Sequence, residues 1–178
     1  MNLNNLIRKN INAMKPYSSA RDEFKDLKAD MVFLDANENP FETTLNRYPD
    51  PQQTALKELI SKQKELPINQ VLLGNGSDEV LDLIVRAFCE PNQDSILTLP
   101  PTYGMYGVLA QLNSIENIEV PLGKDFNINV DQVLKQLKPS TKLLFICSPN
   151  NPSEIIIDVN AVTSLLKAFN GHVVIDES

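Results

Sequence analysis

Four polar stretches carry residue types that could do chemistry. The first is Leu72-Leu73-Gly74-Asn75-Gly76-Ser77-Asp78-Glu79, an apolar run that enters two glycines and then a helical pattern. Backbone N–H groups at such a helix start point outward at its positive end and can hold an anion, with phosphate the best match. The plainer alternative is a turn that uses glycine only because it needs positive φ. The other three are Pro101-Thr102-Tyr103, which offers an aromatic face, Ser148-Pro149-Asn150-Asn151-Pro152, which fixes an amide between prolines, and Asp176-Glu177, a carboxylate that closes an apolar run. Taken singly, Tyr103 also reads as a core aromatic, Pro149 to Pro152 as a tight loop and Asp176 as a helix N-cap. Taken together they describe a site for a flat, phosphate-bearing, nitrogen-containing ring. The set contains no nucleophile–base pair.

Bringing four separated stretches to one place requires a particular order of elements. Val71 to Leu73 reads as a short strand, and Leu81, Ile84, Val85 and Phe88 form a stripe on the helix that opens at Ser77. Strands follow at Ser95 to Leu99, Ile118 to Pro121, Lys142 to Cys147 and His172 to Asp176. Helices lie between them at Thr102 to Leu112, Val130 to Leu137 and Asp158 to Phe169, the last with Val162, Leu165, Leu166 and Phe169 inward. Asn170-Gly171 supplies a left-handed stop. This alternation predicts an α/β fold, a mainly parallel sheet with helices on both faces. Ligands of such sheets bind at the carboxyl ends of the strands, where all four polar stretches fall.

The first part of the chain has a different character. Leu3, Leu6, Ile7 and Ile11 share one face of a short amphipathic helix suited to packing on a partner. Periodicity then fades between Pro16 and Pro40, and Tyr17-Ser18-Ser19-Ala20-Arg21 and Leu34 to Pro40 read as an extended arm lying on the rest of the chain or on a second subunit. A helix is expected to start at Asp50-Pro51-Gln52-Gln53, with Asp50 as N-cap and Pro51 in the first position. Ala55, Leu56, Leu59 and Ile60 would be its buried stripe, and Pro67 its end. The expected organisation is residues 1–50 as helix and arm, then residues 51–178 as a single α/β unit.

Composition narrows the function. With 178 residues, 42% hydrophobic and 22% charged, the chain is ordinary globular material. Its net charge of −7 argues against a nucleic-acid partner. Cys89 and Cys147 both sit in apolar company and read as buried free thiols of a reducing compartment rather than a disulfide. His172 has no ligand-spaced neighbours, so no metal site is expected, and it reads as a strand-edge residue. Met1 to Met14 lacks the apolar core of a signal peptide and no run has membrane-spanning length, which points to a soluble, cytoplasmic protein.

Six motifs in order carry a family resemblance: Asp35-Ala36-Asn37-Glu38-Asn39-Pro40, Tyr48-Pro49-Asp50-Pro51, Gly74 to Glu79, Pro101-Thr102-Tyr103, Ser148 to Pro152 and Val174-Ile175-Asp176-Glu177. The combination resembles the histidinol-phosphate aminotransferases, fold-type I enzymes dependent on pyridoxal phosphate. The resemblance implies that residues 51–178 are part of a pyridoxal-phosphate-binding large domain, in a homodimer that moves an amino group between glutamate and imidazole-acetol phosphate. It implies that Gly76, Ser77 and Asp78 hold the phosphate, that Tyr48 reaches it from the other subunit, and that Tyr103 stacks on the ring. Asn151 would donate to the phenolic oxygen, and Asp176 would pair with the protonated ring nitrogen. Tyr17, Asn37 and Glu38 would be substrate contacts.

The sequence departs from that pattern in several places. No lysine lies in a motif matching the family's Schiff-base lysine, so no catalytic residue is assigned, and the 178 residues alone are expected to be inactive. The remainder of the large domain and the small domain are expected elsewhere in a longer protein. Ser153-Glu154 stands where the family usually has Thr-Gly, and Asp-Glu-Ser where it has Asp-Glu-Ala-Tyr. Asp78 and Glu79 oppose a phosphate unless they turn away. A related aromatic aminotransferase or phospho-amino-acid decarboxylase would use the same cofactor site, and a non-catalytic phosphate-binding module is the alternative of another class.

Overall fold

The computed structural model describes residues 6–18, 32 and 34–177. Leu3, Ser19 to Arg21 and Ser178, all named above, lie outside the described residues. The chain divides into two units, one made of residues 1–13 and 74–178, the other of residues 14–73.

The larger unit is built on four parallel strands, β1 (Ser95–Thr98), β2 (Glu116–Glu119), β3 (Thr141–Cys147) and β4 (His172–Asp176), in the order β2-β1-β3-β4. The mainly parallel α/β arrangement read from the alternation of elements therefore holds. The central strand β3 is buried at every position but one, as a strand covered on both faces must be. Its side chains alternate between two cores. Leu143, Phe145 and Cys147 pack with Ile96 against helices over Ser77–Phe88 and Met105–Leu112, while Leu144 and Ile146 pack with Leu97 against helices over Val130–Gln136 and Val159–Ala168.

Handedness explains why both faces are used. From β1 the chain steps one way to β2 through the helix Met105–Leu112, then returns across β1 to β3 and continues to β4 in the opposite direction. Right-handed crossovers place helices on opposite faces when the direction of travel reverses. The reversal falls between β1 and β3, the place in such sheets outside whose carboxyl ends ligands bind.

Several local expectations are corrected. Val71 to Leu73 is not a strand, and Leu72 is 59% exposed, because its apolar residues find no strand to pair with. The helix α1 covers only Lys9–Ala13 and buries no residue, while Leu6 just before it is buried. That segment is held to its own chain: the Arg8 N–H donates to Ala87 O at 2.9 Å, and its guanidinium donates to Arg86 O at 2.9 Å and to the Glu90 carboxylate at 3.1 and 3.3 Å. Leu166 is 57% exposed rather than inward. Gly171 is not left-handed. Its requirement is close approach, since a Cβ there would stand 2.2 Å from the Phe169 ring and 2.4 Å from Lys142 O.

In the unit of residues 14–73 the helix α2 covers Thr54–Lys64, four residues after the expected cap. Asp50 still does capping chemistry, its carboxylate accepting from the N–H groups of Gln52 and Thr54, both at 2.8 Å. Gln53, at φ 52°, then turns the chain into the helix. Nothing in α2 is buried, and Leu56 and Leu59 are exposed. Among the described residues the unit has no strand and only one further turn of helix, Ile68–Gln70. No helix among the described residues is long and apolar enough to cross a membrane.

Candidate functional site

The helix α3 (Ser77–Phe88) begins at Gly76, whose φ of 85° is a left-handed value that glycine adopts without strain. No side chain caps this helix, and nothing lies within 4 Å of where a Cβ at Gly76 would stand. An uncapped twelve-residue helix with open space over its first turn offers N–H groups to an anion. Asp78 and Glu79 stand in that turn, but both carboxylates are engaged elsewhere. Asp78 Oδ1 accepts the Tyr103 hydroxyl at 3.0 Å, and Glu79 accepts the Asn75 N–H.

Tyr103 precedes α4 (Met105–Leu112) in the turn after β1. Its half-buried ring meets Tyr106 edge to face at 5.6 Å. The hydrogen bond to Asp78, with partial burial and the Asp78 and Asp176 charges, holds the Tyr103 hydroxyl above its usual pKa, so it remains a donor.

The two asparagines after β3 divide the work. Asn150 is 2% exposed, and its amide donates to Pro101 O at 3.0 Å and to Ser153 Oγ at 2.8 Å. It thereby pins the loop after β3 to the turn after β1. Asn151 is exposed, and its side chain makes no hydrogen bond among the described residues, so its amide is available to a ligand. Only its backbone is tied, the N–H donating to Cys147 Sγ at 3.4 Å. The replacement of the usual Thr-Gly by Ser153-Glu154 keeps the turn but makes a non-glycine residue adopt φ 60° at Glu154.

Asp176 ends β4 opposite Cys147 of β3 and is 6% exposed. Its Oδ2 accepts the Tyr106 hydroxyl at 2.6 Å, a short charge-assisted bond. Tyr106, 1% exposed, stacks on Phe145 at 4.9 Å. Burial, followed by the Asp176 carboxylate, pushes the Tyr106 hydroxyl far above its ordinary range. Sequence reasoning passed over Tyr106, which reads as core in an apolar helix. Its i, i+3 spacing from Tyr103 on a turn beside the site was the available signal.

Gly76, Ser77, Asp78, Tyr103, Asn151 and Asp176 therefore lie in one unit, linked through Tyr103, Tyr106 and Asn150. Tyr17, Asn37, Glu38 and Tyr48 belong to the other unit. There Asn37, Glu38, Arg47 and Tyr48 line a cavity of about 200 Å³. Glu38 organises it, accepting from Arg47 at 2.9 Å and from the Tyr48 N–H at 2.7 Å. Tyr17 is 91% exposed and does not line that cavity. Cys89 and Cys147 are buried and free, and burial drives the Cys89 thiol up to about 12.

The residues present fit pyridoxal phosphate. An uncapped helix start suits its phosphate, a partly open tyrosine ring its face, a free amide its phenolic oxygen, and a buried carboxylate its ring nitrogen. Among the described residues the group holds three carboxylates, those of Asp78, Glu79 and Asp176.

The family model described as aminotransferase class I and II matches residues 20–178. The chain is 60% identical over 177 residues to a histidinol-phosphate aminotransferase of Flavobacterium psychrophilum, covering 99% of this chain and 51% of that protein. It is 58% identical to that of Christiangramia forsetii at the same coverage. The chain thus spans about half the length of the curated relatives it matches. Among solved structures, N-succinyldiaminopimelate aminotransferase from Mycobacterium tuberculosis superposes with a TM-score of 0.66 at 26% identity, over 74% of this chain and 38% of that one. The histidinol-phosphate aminotransferase from Clostridium acetobutylicum gives 0.65 at 23% identity, over 75% of this chain and 39% of that one, a likeness of fold.

Proposed function

The chain belongs to the class I and II aminotransferase family, and on that premise we propose that it is the amino-terminal part of a histidinol-phosphate aminotransferase. The whole enzyme would move an amino group between glutamate and imidazole-acetol phosphate, as a cytoplasmic homodimer using pyridoxal phosphate. What supports this reading is that Tyr103, Asn151 and Asp176 stand at the carboxyl ends of parallel strands in one unit, with the α3 start tied to them through the Tyr103–Asp78 hydrogen bond.

Bound there, pyridoxal phosphate supplies an electron sink for a carbanion at the amino-acid Cα. The chain's own residues bind and orient it. N–H groups of Gly76, Ser77 and Asp78 hold the phosphate, with the Asp78 carboxylate kept aside by Tyr103. The Tyr103 ring covers one face and excludes water from it. Asn151 donates its amide to the phenolic oxygen, and Asp176 holds the ring-nitrogen proton. Tyr48 would reach the phosphate from the partner subunit, with Tyr17, Asn37 and Glu38 toward substrate. No lysine in these 178 residues is assigned to catalysis.

The test is the full-length protein with pyridoxal phosphate, assayed with histidinol phosphate and 2-oxoglutarate, aromatic amino acids, and phospho-amino acids for decarboxylation. A kcat/KM for histidinol phosphate well above the aromatic value supports the reading. The reverse preference, decarboxylation, or cofactor binding without turnover refutes it.

A further inference from the structure

The loop after β3 closes on Asn150. Its N–H donates to Ile155 O at 2.8 Å, its carbonyl accepts the Glu154 N–H at 2.6 Å, and its side-chain amide donates to Ser153 Oγ at 2.8 Å. Those three bonds stay inside the loop. A fourth leaves it, the same amide donating to Pro101 O at 3.0 Å in the turn after β1. At 2% exposure the amide has almost no access to water, so its donors depend on these protein partners.

The two ends of that fourth bond carry groups assigned to the ring. Asn151 follows Asn150 directly and is exposed, while Tyr103 lies two residues beyond Pro101. The turn after β1 is fixed independently, since the Tyr103 hydroxyl donates to Asp78 Oδ1 at 3.0 Å and the Leu122 N–H donates to Pro100 O at 2.8 Å. The loop after β3 is fixed at its root, where the Ser148 N–H donates to Asp176 O at 2.8 Å. Beyond that root, among the described residues, the bond from Asn150 to Pro101 is the only hydrogen bond joining residues 149–154 to another loop. The position of Asn151 relative to Tyr103 therefore depends on it.

We propose that Asn150 is a positioning residue: by holding the loop after β3 to Pro101, it places the Asn151 amide so that a ring stacked on Tyr103 also receives the amide's hydrogen bond. The proposal deepens the cofactor reading above and rests on it. An amide so placed donates to an ionised phenolic oxygen and favours that form over the neutral phenol. A hydrogen bond weakens steeply outside a narrow range of distance and angle, so a small displacement of the freed loop is enough to lose it.

The experiment uses the full-length protein and 4′-deoxypyridoxine phosphate, which keeps the ring, phenolic oxygen and phosphate of the cofactor but has no aldehyde to react with a lysine. Wild type, Asn150→Ala and Ser153→Ala are compared. Ser153→Ala removes a bond within the loop and leaves the bond to Pro101. Three quantities are read: the melting temperature, the affinity for 4′-deoxypyridoxine phosphate, and the pH midpoint at which absorption of the bound compound reports ionisation of its phenolic oxygen. In Asn150→Ala the affinity falls about tenfold, the size of one hydrogen bond to a charged group, and the midpoint rises by about one pH unit. Ser153→Ala melts lower, with affinity and midpoint close to wild type. An Asn150→Ala protein that melts lower with affinity and midpoint unchanged overturns the role of Asn150 and leaves the cofactor reading standing, and so does a Ser153→Ala protein that matches Asn150→Ala in both. A crystal structure of wild type with the compound bound needs no variant to fold: Asn150 on Pro101 O together with Asn151 on the phenolic oxygen supports the role, and either contact broken overturns it. Wild-type protein that fails to bind the compound overturns the cofactor reading and this role with it.

Discussion

Replacing Gly171 with alanine or with asparagine separates two reasons for a glycine between a helix and a strand. If the position served as a left-handed helix stop, asparagine would substitute well and alanine poorly. Close approach predicts that both fail. A Cβ at 171 would lie 2.4 Å from Lys142 O and 2.2 and 2.7 Å from two Phe169 ring atoms. Contacts below 3.0 Å cannot persist, and neither neighbour yields easily. Lys142 belongs to the central strand, and Phe169 is 8% exposed within the core that also holds Leu165 and Ile146. Overpacking a rigid core costs about 1–3 kcal/mol, and two such clashes place Gly171→Ala near the top, about 3 kcal/mol. Gly171→Asn should fall within about 1 kcal/mol of it, because the clash arises at Cβ. Urea unfolding of the full-length protein, with wild type and both variants at one cofactor concentration, measures this directly. An alanine variant as stable as wild type, or an asparagine variant clearly better than alanine, would refute the reasoning.

The turn after β3 gives the opposite expectation. Glu154 stands at φ 60°, so Glu154→Gly should stabilise the protein by about 1 kcal/mol, read as a higher urea midpoint, and an unchanged or lower midpoint would contradict this. His172 supplies a pH dependence. Its ring packs on Phe88 at 4.3 Å, Nε2 has no hydrogen-bond partner among the described residues, and burial lowers its pKa from 6.5. The unfolded chain therefore binds the proton more readily than the folded one, and stability rises with pH from below 6.5 up through that value. His172→Phe should flatten that slope relative to wild type, and equal slopes from pH 5 to 8 would show that His172 is not held neutral.

The parts of the fold that were legible in the sequence were those in which one face or both must be apolar. Leu143 to Cys147 could only be a buried strand, and the alternation of such runs with amphipathic helices fixed a parallel sheet. Apolar type alone misled in the unit of residues 14–73. Leu56 and Leu59 have the spacing of a buried stripe, and Val71 to Leu73 the composition of a strand, yet both lie in a unit with neither sheet nor second long helix among its described residues. The boundary at Asp50 was read from sound capping chemistry. The carboxylate does accept two N–H groups, but it closes a turn before α2 rather than the helix itself.

At the candidate site, the same distinction separates residues that follow a strand from those behind it. Tyr103, Asn151 and Asp176 could be picked out because the carboxyl ends of parallel strands are where ligands bind. Tyr106 and Asn150 could not, because each acts through a partner remote in sequence: Tyr106 is 70 residues from Asp176, and Asn150 is 49 from Pro101. No local pattern encodes such pairings. They follow from the strand order β2-β1-β3-β4, which sets β3 between β1 and β4 and brings the three loops together. The reversal of that order thus does two things at once. It sets the loops after β1, β3 and β4 side by side, and it buries beneath them Tyr106 and Asn150, whose side chains tie those loops together.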